Sequence, residues 1–182
     1  MTHTDIDNRD HSNAIALLID GFTRVDEQIP DVTSDLSPQD LMWRPDPDAN
    51  SIGWLAWHLT RVADDHIAGI TDSPQAWVEE GWVNRFGLPY AEESIGYGQT
   101  SAEVGDFTVK NAGLLVDYWR ATFARITQAL SELQDDDLER ILDNSYDPPV
   151  TVSIRLMSVV NDLTQHVGQA AYVRGLLERR RG

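Results

Sequence analysis

The chain has 182 residues, a formal net charge of −16, 41% hydrophobic residues and no cysteine. The acidic charge argues against DNA, RNA or anionic membranes as partners, because binding to them needs a cationic surface. The length predicts one domain over residues 1–182 with a sizeable core. The lack of cysteine excludes disulfides, thiolate metal ligands and a cysteine nucleophile.

The start of the chain, MTHTDIDNRDHSN, is polar and acidic. It lacks the cationic stretch and the apolar segment of a secretory signal. Further along, polar residues interrupt every apolar run before it reaches the roughly 18 residues that a membrane-spanning helix needs. We therefore expect a cytoplasmic protein, with His3 and His11 solvated at its polar start.

Four long segments have the apolar spacing of amphipathic helices, namely about residues 11–28, 51–71, 107–133 and 153–179. A short helix is predicted at SPQDLMW, with Ser37 as its cap, Pro38 in its first position and Asp40 two residues later. Asn50 or Ser51 is the predicted cap of the second long helix. These four helices predict an all-α four-helix bundle.

Residues 73–105, the excursion, separate the second and third long helices and are rich in glycine, proline and aromatic residues. They are long enough to cover one end of the bundle, either as a lid or around a small core of their own. The acidic run DDDLE, residues 135–139, is interpreted as a solvated helix start. YDPPVTVS, residues 146–153, predicts an extended strap stiffened by proline. No segment alternates with period two for long enough to predict a sheet.

The fourth helix combines an apolar stripe with two polar residues beside it. Asp162 and His166 are four residues apart and lie along the edge of a stripe formed by Leu156, Val159, Val160, Leu163, Val167, Ala170 and Val173. A carboxylate near a core is costly unless a cationic group meets it. The pair therefore indicates half of a metal site, or alternatively an ordinary contact between residues one turn apart.

The second helix offers the other half. His58 lies on the flank of the inward face, with Trp54 and Asp65 on the same side, and His66 lies nearest the middle of that face. Two imidazoles and one carboxylate, from His58, Asp162 and His166, would suit a divalent ion and leave positions for water or substrate. The alternatives are a hydrogen-bonded core histidine at position 58 and a packed histidine at position 66. Nucleotide-binding glycine motifs, the G-x-S-x-G elbow and the H-E-x-x-H pair are absent from the sequence.

Two segments together resemble a known family. MWRPDPDANSIGWLAWHLTRVADDH, residues 42–66, and NDLTQHVGQAAYVRGLL, residues 161–177, resemble the DinB-like superfamily of four-helix bundles, in its mycothiol-transferase-like branch. The resemblance implies a divalent metal held by His58 and His166, with Gly168 and Gln169 matching the end of the second motif. Asp162 stands where many members have histidine, and this harder oxygen ligand shifts the metal preference away from soft ions.

The resemblance also implies an activity, a metal- and thiol-dependent S-transferase acting on small electrophiles. The ion would be zinc, nickel or similar, and the cosubstrate a low-molecular-weight thiol of the mycothiol type. Gln169 is expected to orient a ligand, Asp65 and His66 to hold the metal-binding histidines, and Trp54 with the excursion to wall the pocket. A homodimer is expected. The alternatives are a thiol-dependent isomerase on the same centre and a non-catalytic metal-binding or dimerising bundle.

Overall fold

The structure is a computed structural model that describes residues 12–181, so the predictions for His3 and His11 lie outside the described residues. Its four long helices are α1 (Asn13–Thr33), α3 (Ile52–Thr71), α7 (Ala112–Glu132) and α8 (Val152–Arg181). The shorter elements are α2 (Pro38–Leu41), α4 (Ala76–Glu79), α5 (Trp82–Phe86), α6 (Ser101–Gly105), β1 (Ile141–Asp143) and β2 (Val150–Thr151). The prediction of an all-α bundle of four long helices is confirmed.

The helix starts follow the predicted local chemistry. Ser37 accepts a hydrogen bond from the Asp40 amide, and the Asp40 carboxylate accepts one from the Ser37 amide, which closes a capping box around Pro38. Ser51, and not Asn50, caps α3 by accepting a hydrogen bond from the Trp54 amide. Residues 135–139 form a short 3₁₀ turn instead of the start of a longer helix.

Helix α1 ends later than predicted. The sequence analysis ended it near residue 28, before Pro30, yet the helix continues through the proline to Thr33. Pro30 removes one backbone hydrogen bond, but Ile29 and Val32 on either side of it are buried in the core. Burial of these two side chains offsets the lost hydrogen bond, so tertiary packing overrides the local preference.

The order of the helices explains why the excursion is long. Asp64 on α3 contacts Tyr118 on α7, and Pro74 just after α3 contacts Arg125, about two turns further along α7, so α3 and α7 run parallel. Two parallel neighbours need a connection that returns from one end of the bundle to the other. Helix α8 packs antiparallel on α3, because His166 meets His58 while Arg155 meets His66.

A small antiparallel ladder precedes α8, although the sequence predicted no sheet. β1 pairs with β2, with Ile141 opposite Thr151. The strands have three and two residues, which is too short for a two-residue alternation to be visible in the sequence. Of the extended strap predicted over residues 146–153, only Val150–Thr151 is a strand, β2, and residues 152 and 153 already belong to α8.

The aromatic residues of the excursion join the main core. Trp77, Trp82 and Phe86 are buried, and each packs against the ring of Tyr118 on α7. Tyr97, in contrast, is 90% exposed. The aromatic residues in the first half of the excursion therefore pack into the core of the bundle. Within residues 12–181, no helix combines the length and the hydropathy that crossing a membrane requires.

Candidate metal centre

Side chains from α3 and α8 meet where the two helices cross. His58, Asp162 and His166 each place one potential ligand atom so that the three atoms lie within 4.8 Å of one another. The rings of His58 and His166 lie edge to face, with their centroids 4.8 Å apart. The three residues that the sequence analysis grouped as metal ligands therefore converge in space.

His58 is held by contacts on one face and at one edge of its ring. The residue is only 6% exposed, and its ring stacks on Trp54 with centroids 4.6 Å apart. Its Nδ1 lies 2.5 Å from the Ile95 carbonyl oxygen. Since a carbonyl can only accept, Nδ1 carries the proton and Nε2 is left with a free lone pair. Burial lowers the pKa of His58 and outweighs the hydrogen bond to Ile95, which acts to raise it. The lowered pKa favours the neutral ring that a metal needs.

Gly96 of the excursion packs against the ring of His58. Gly96 follows Ile95, has a positive φ of 89°, and leaves no room for a side chain. A Cβ there would lie 2.7 Å from Nδ1 of His58 and 3.0 Å from the ring of Trp57. Glycine is therefore required here both by the backbone conformation and by the close packing on His58.

His166 is held by its own helix. Its Nδ1 lies 2.8 Å from Oε1 of Gln169, and its Nε2 lies 3.5 Å from Oδ1 of Asp162. Burial alone would lower the pKa of His166, but the hydrogen bonds to Asp162 and Gln169 outweigh burial and raise it. Burial likewise acts to raise the pKa of Asp162, and the hydrogen bond and charge of His166 outweigh it, so this pKa is lowered. The two side chains therefore favour a protonated imidazole beside a carboxylate when no ion is bound.

The donor set fits a divalent ion. Each imidazole uses Nδ1 in a hydrogen bond, to Ile95 or Gln169, which leaves Nε2 as the nitrogen for a metal. Oδ2 of Asp162 is buried and has no hydrogen-bond partner among the described residues. An unpaired buried carboxylate oxygen is costly, and a cation would relieve that cost. Nitrogen and oxygen ligands of this kind suit zinc, nickel and similar ions.

The centre has an open side. The Asp162 side chain is 35% exposed and that of His166 is 18% exposed, whereas His58 is buried. The ring of Trp54 stacks on His58. The exposed parts of the cluster are therefore Asp162 and His166, which favours a site with an open coordination position over a closed structural one.

Asp65 and His66 lie two turns along α3 from His58. Asp65 accepts a hydrogen bond from Gln75, and its second oxygen lies 3.5 Å from Nδ1 of His66. Nε2 of His66 lies 3.5 Å from Arg155. Among the described residues, no hydrogen bond joins Asp65 or His66 to His58 or His166.

His66 and Asp65 differ from the sequence-based expectations in two respects. His66 was expected near the centre of the inward face, but its side chain is 26% exposed, because it lies at the edge of α3 beside Arg155. Burial, followed by the charge of Arg155, lowers the pKa of His66. Asp65 and His66 were expected to hold the metal-binding histidines, but Nδ1 of His58 and Nδ1 of His166 hydrogen-bond instead to the Ile95 carbonyl and to Gln169.

Two cavities lie along α3 and α8, and neither is lined by His58, Asp162 or His166. One, of about 800 Å³, is lined by Asp65, His66 and Arg155 together with residues of the excursion. The other, of about 770 Å³, is lined by Gln169, Leu55 and Tyr172. Cavities of roughly 300–1,000 Å³ are the usual size of small-molecule sites.

Sequence reasoning missed the buried polar residues that fasten the excursion. Arg61 and Asp64 are fully buried on α3, and Ile95 contributes only a backbone carbonyl to the site. The available indication of these residues was a pair of charged positions, three apart, on a helix whose first half is otherwise apolar. Nothing in the sequence indicates the Ile95 carbonyl, because every residue has one.

Fold and site together define a class of protein, a helical bundle with a candidate imidazole–carboxylate metal centre between two of its helices. The chain belongs to the DinB superfamily, whose family profile matches residues 22–170. It is similar to a conserved protein from Enterococcus faecalis, with 28% identity and a TM-score of 0.84 over 88% of this chain and 95% of the other.

A second solved structure agrees on the fold. A DinB-like protein from Bacillus cereus has 23% identity and a TM-score of 0.56 over 91% of each chain. At this identity the likeness supports the fold alone. No protein with a curated description matches the chain.

Proposed function

We propose that this chain is a divalent-metal-dependent S-transferase that activates a low-molecular-weight thiol of the mycothiol type for attack on a small electrophile. The observation that carries the proposal is the convergence of His58, Asp162 and His166 at a cluster open to ligands on one side. The chain has no cysteine, so a thiol reaction must use a thiol from outside.

Each residue has a stated role in this proposal. His58, Asp162 and His166 would hold the ion, and Gln169 keeps Nδ1 of His166 occupied so that Nε2 faces the cluster. A divalent ion lowers the pKa of a bound thiol and supplies a thiolate at neutral pH. Trp54 stacks on His58 and covers one face of its ring. In the transfer, the thiol would lose its proton to solvent, and its sulfur would form a bond to the electrophilic carbon as the bond to the leaving group breaks and that group departs with its electron pair.

The cavity beside His66 and the cavity beside Gln169 each have the volume of a small-molecule site. We propose that one of these cavities receives the thiol and the other the electrophile. Binding both next to the ion would convert a bimolecular reaction into one between neighbouring groups.

A thiol-consumption assay tests the proposal. Protein stripped of metal and protein reloaded with zinc or nickel are incubated with mycothiol, bacillithiol or glutathione and a generic alkylating electrophile. We expect the reloaded protein to consume thiol and the stripped protein not to. A transferase consumes one thiol for each product, whereas an isomerase regenerates it, so thiol balance separates the two. Absence of consumption by metal-loaded protein with every thiol would favour the non-catalytic bundle.

The surface of α1 and α8 supports a further part of the proposal, a homodimer. Leu17 on α1 is 73% exposed and Met157 on α8 is 56% exposed. The two helices pack side by side, with Gly21 of α1 against Val160 of α8. Exposed apolar side chains on adjacent helices are typical of an association surface, and light scattering of the purified protein measures the oligomeric state directly.

A further inference from the structure

A buried ion pair lies on α3 just after His58. Arg61 and Asp64 are both fully buried, with Nη1 of Arg61 3.6 Å from Oδ2 of Asp64. They are three and six residues beyond His58, so they continue along the same helix for nearly two turns. Neither belongs to the group of candidate metal ligands.

Asp64 binds the beginning of the excursion. Its two carboxylate oxygens accept hydrogen bonds of 2.8 Å from the backbone amides of Ala76 and Trp77, at the start of α4. The hydroxyl of Tyr118 on α7 donates a third, also of 2.8 Å. One buried carboxylate thus joins α3, α4 and α7.

Arg61 binds the excursion at two places. Its Nε donates to the Ser94 carbonyl over 3.2 Å, and its Nη1 donates to Oε1 of Gln75 over 2.9 Å. Its guanidinium also lies over the ring of Trp77, 5.0 Å from the ring centroid. The pair therefore fastens residues 75–77 and residue 94 to α3 at once.

The contact at Ser94 fixes the next residue along the chain. The carbonyls of Ser94 and Ile95 are consecutive, and they accept hydrogen bonds from Arg61 and His58, which are three residues apart on α3. Two adjacent carbonyls held by two side chains on one helix leave the peptide little freedom to turn. The position of the Ile95 carbonyl, and with it the proton on Nδ1 of His58, therefore depends on Arg61.

Stability alone does not account for this arrangement. A buried ion pair contributes little net stability, because both charges lose their hydration. Nη2 of Arg61 is buried and has no hydrogen-bond partner among the described residues, which adds a further cost. A guanidinium has the planar fork that can hold a carbonyl and an amide oxygen in fixed relative positions.

We propose that Arg61, supported by Asp64, is a positioning residue that fixes the tautomer and orientation of His58 through the Ser94–Ile95 backbone. This role of Arg61 rests on the proposed function in one respect, namely that Nε2 of His58 binds a metal. The effect on the tautomer is a property of the metal-free protein and stands apart from that assumption. Outer partners of a metal-bound histidine change metal affinity by about 10–100-fold when they are removed.

The test replaces Arg61 by lysine, which retains a cation beside Asp64 but cannot hold the Ser94 carbonyl and Gln75 together. The matched control is Arg125→Lys. Arg125 also binds the excursion, through the Pro74 carbonyl and Glu79, but among the described residues it has no hydrogen bond to residues 94–96. Imidazole ¹⁵N spectra of the metal-free full-length proteins report the tautomer of His58, and titration with Zn²⁺ reports metal affinity.

We expect wild type and Arg125→Lys to show His58 protonated at Nδ1 alone, and Arg61→Lys to show a mixture of both tautomers. The Kd for Zn²⁺ should rise about 10–100-fold in Arg61→Lys and change less than about twofold in the control. Wild-type tautomer in Arg61→Lys would overturn the proposal. If wild type binds no Zn²⁺, the metal assignment fails, and the tautomer result still decides the role of Arg61.

A second variant covers the case in which Arg61→Lys does not fold. Tyr118→Phe removes only the hydroxyl that lies between Arg61 and Asp64 and leaves both charges in place. We expect it to unfold cooperatively and to show a smaller change of the His58 tautomer in the same direction. Wild-type spectra for this variant would likewise overturn the proposal.

Discussion

Replacing Gly96 by alanine tests whether the excursion is seated on His58 as closely as the structure shows. An added Cβ would lie 2.7 Å from Nδ1 of His58, 3.0 Å from the ring of Trp57 and 3.1 Å from that of Trp54. These three side chains are buried, so neither they nor the backbone can move aside without losing contacts. Gly98 is the matched control, because it also has a positive φ but has nothing within 4 Å of an added Cβ.

The magnitude follows from two separable contributions. Gly96 has a φ of 89°, a conformation that costs a residue with a side chain about 1–2 kcal/mol. Forcing a methyl group into packed surroundings adds about 1–3 kcal/mol. We therefore expect Gly96→Ala to lower the free energy of unfolding by about 2–5 kcal/mol, and Gly98→Ala by only about 1–2 kcal/mol.

Urea unfolding, followed by tryptophan fluorescence and circular dichroism, measures both values. The slope of the free energy with urea concentration should be the same in both variants, so that the midpoints compare stability directly. The reasoning is refuted if Gly96→Ala is no less stable than Gly98→Ala. That result would mean that residues 94–96 do not pack on His58 in solution.

Three further predictions concern the metal ligands. In metal-free protein the raised pKa of His166 makes its proton the competitor of the ion, whereas the lowered pKa of His58 leaves that ring neutral. Metal affinity should therefore be constant above the raised His166 pKa and should fall about tenfold per pH unit below it; titrations that show no loss of affinity as the pH is lowered from neutral into the acid range would contradict this. Gln169→Ala should raise the Kd for Zn²⁺ about 10–100-fold, since His166 loses the partner of its Nδ1, while the exposed Gln165→Ala serves as the unchanged control. Asp162→His should shift competition between Mn²⁺ and Zn²⁺ towards Zn²⁺, because nitrogen replaces a harder oxygen ligand, and an unaltered preference would exclude residue 162 as a ligand.

Local features of the fold could be predicted from the sequence. Ser37 and Ser51 cap helices because their side chains bond amides three residues away, which needs no knowledge of the tertiary structure. The pairing of Asp162 with His166 follows from helical spacing in the same way. The end of α1 could not be predicted, because burial around Pro30 overrides the local rule.

Contacts between distant segments were beyond sequence reasoning. The hydrogen bond from His58 to Ile95 joins residues 37 positions apart and uses a backbone carbonyl, which has no sequence signature. The bonds from Asp64 to the amides of Ala76 and Trp77 are of the same kind. The sequence thus indicated which side chains meet at the centre, whereas what holds those side chains in place depends on how the excursion folds back.

The central claim is that His58, Asp162 and His166 bind a divalent ion, and metal content is its most direct test. Elemental analysis compares purified wild type, His166→Ala and His66→Ala, the last a histidine of α3 outside the cluster. We expect about one ion per chain in wild type and in His66→Ala, and none in His166→Ala. Metal content in His166→Ala equal to that of wild type, or no metal uptake by wild type, would contradict the account.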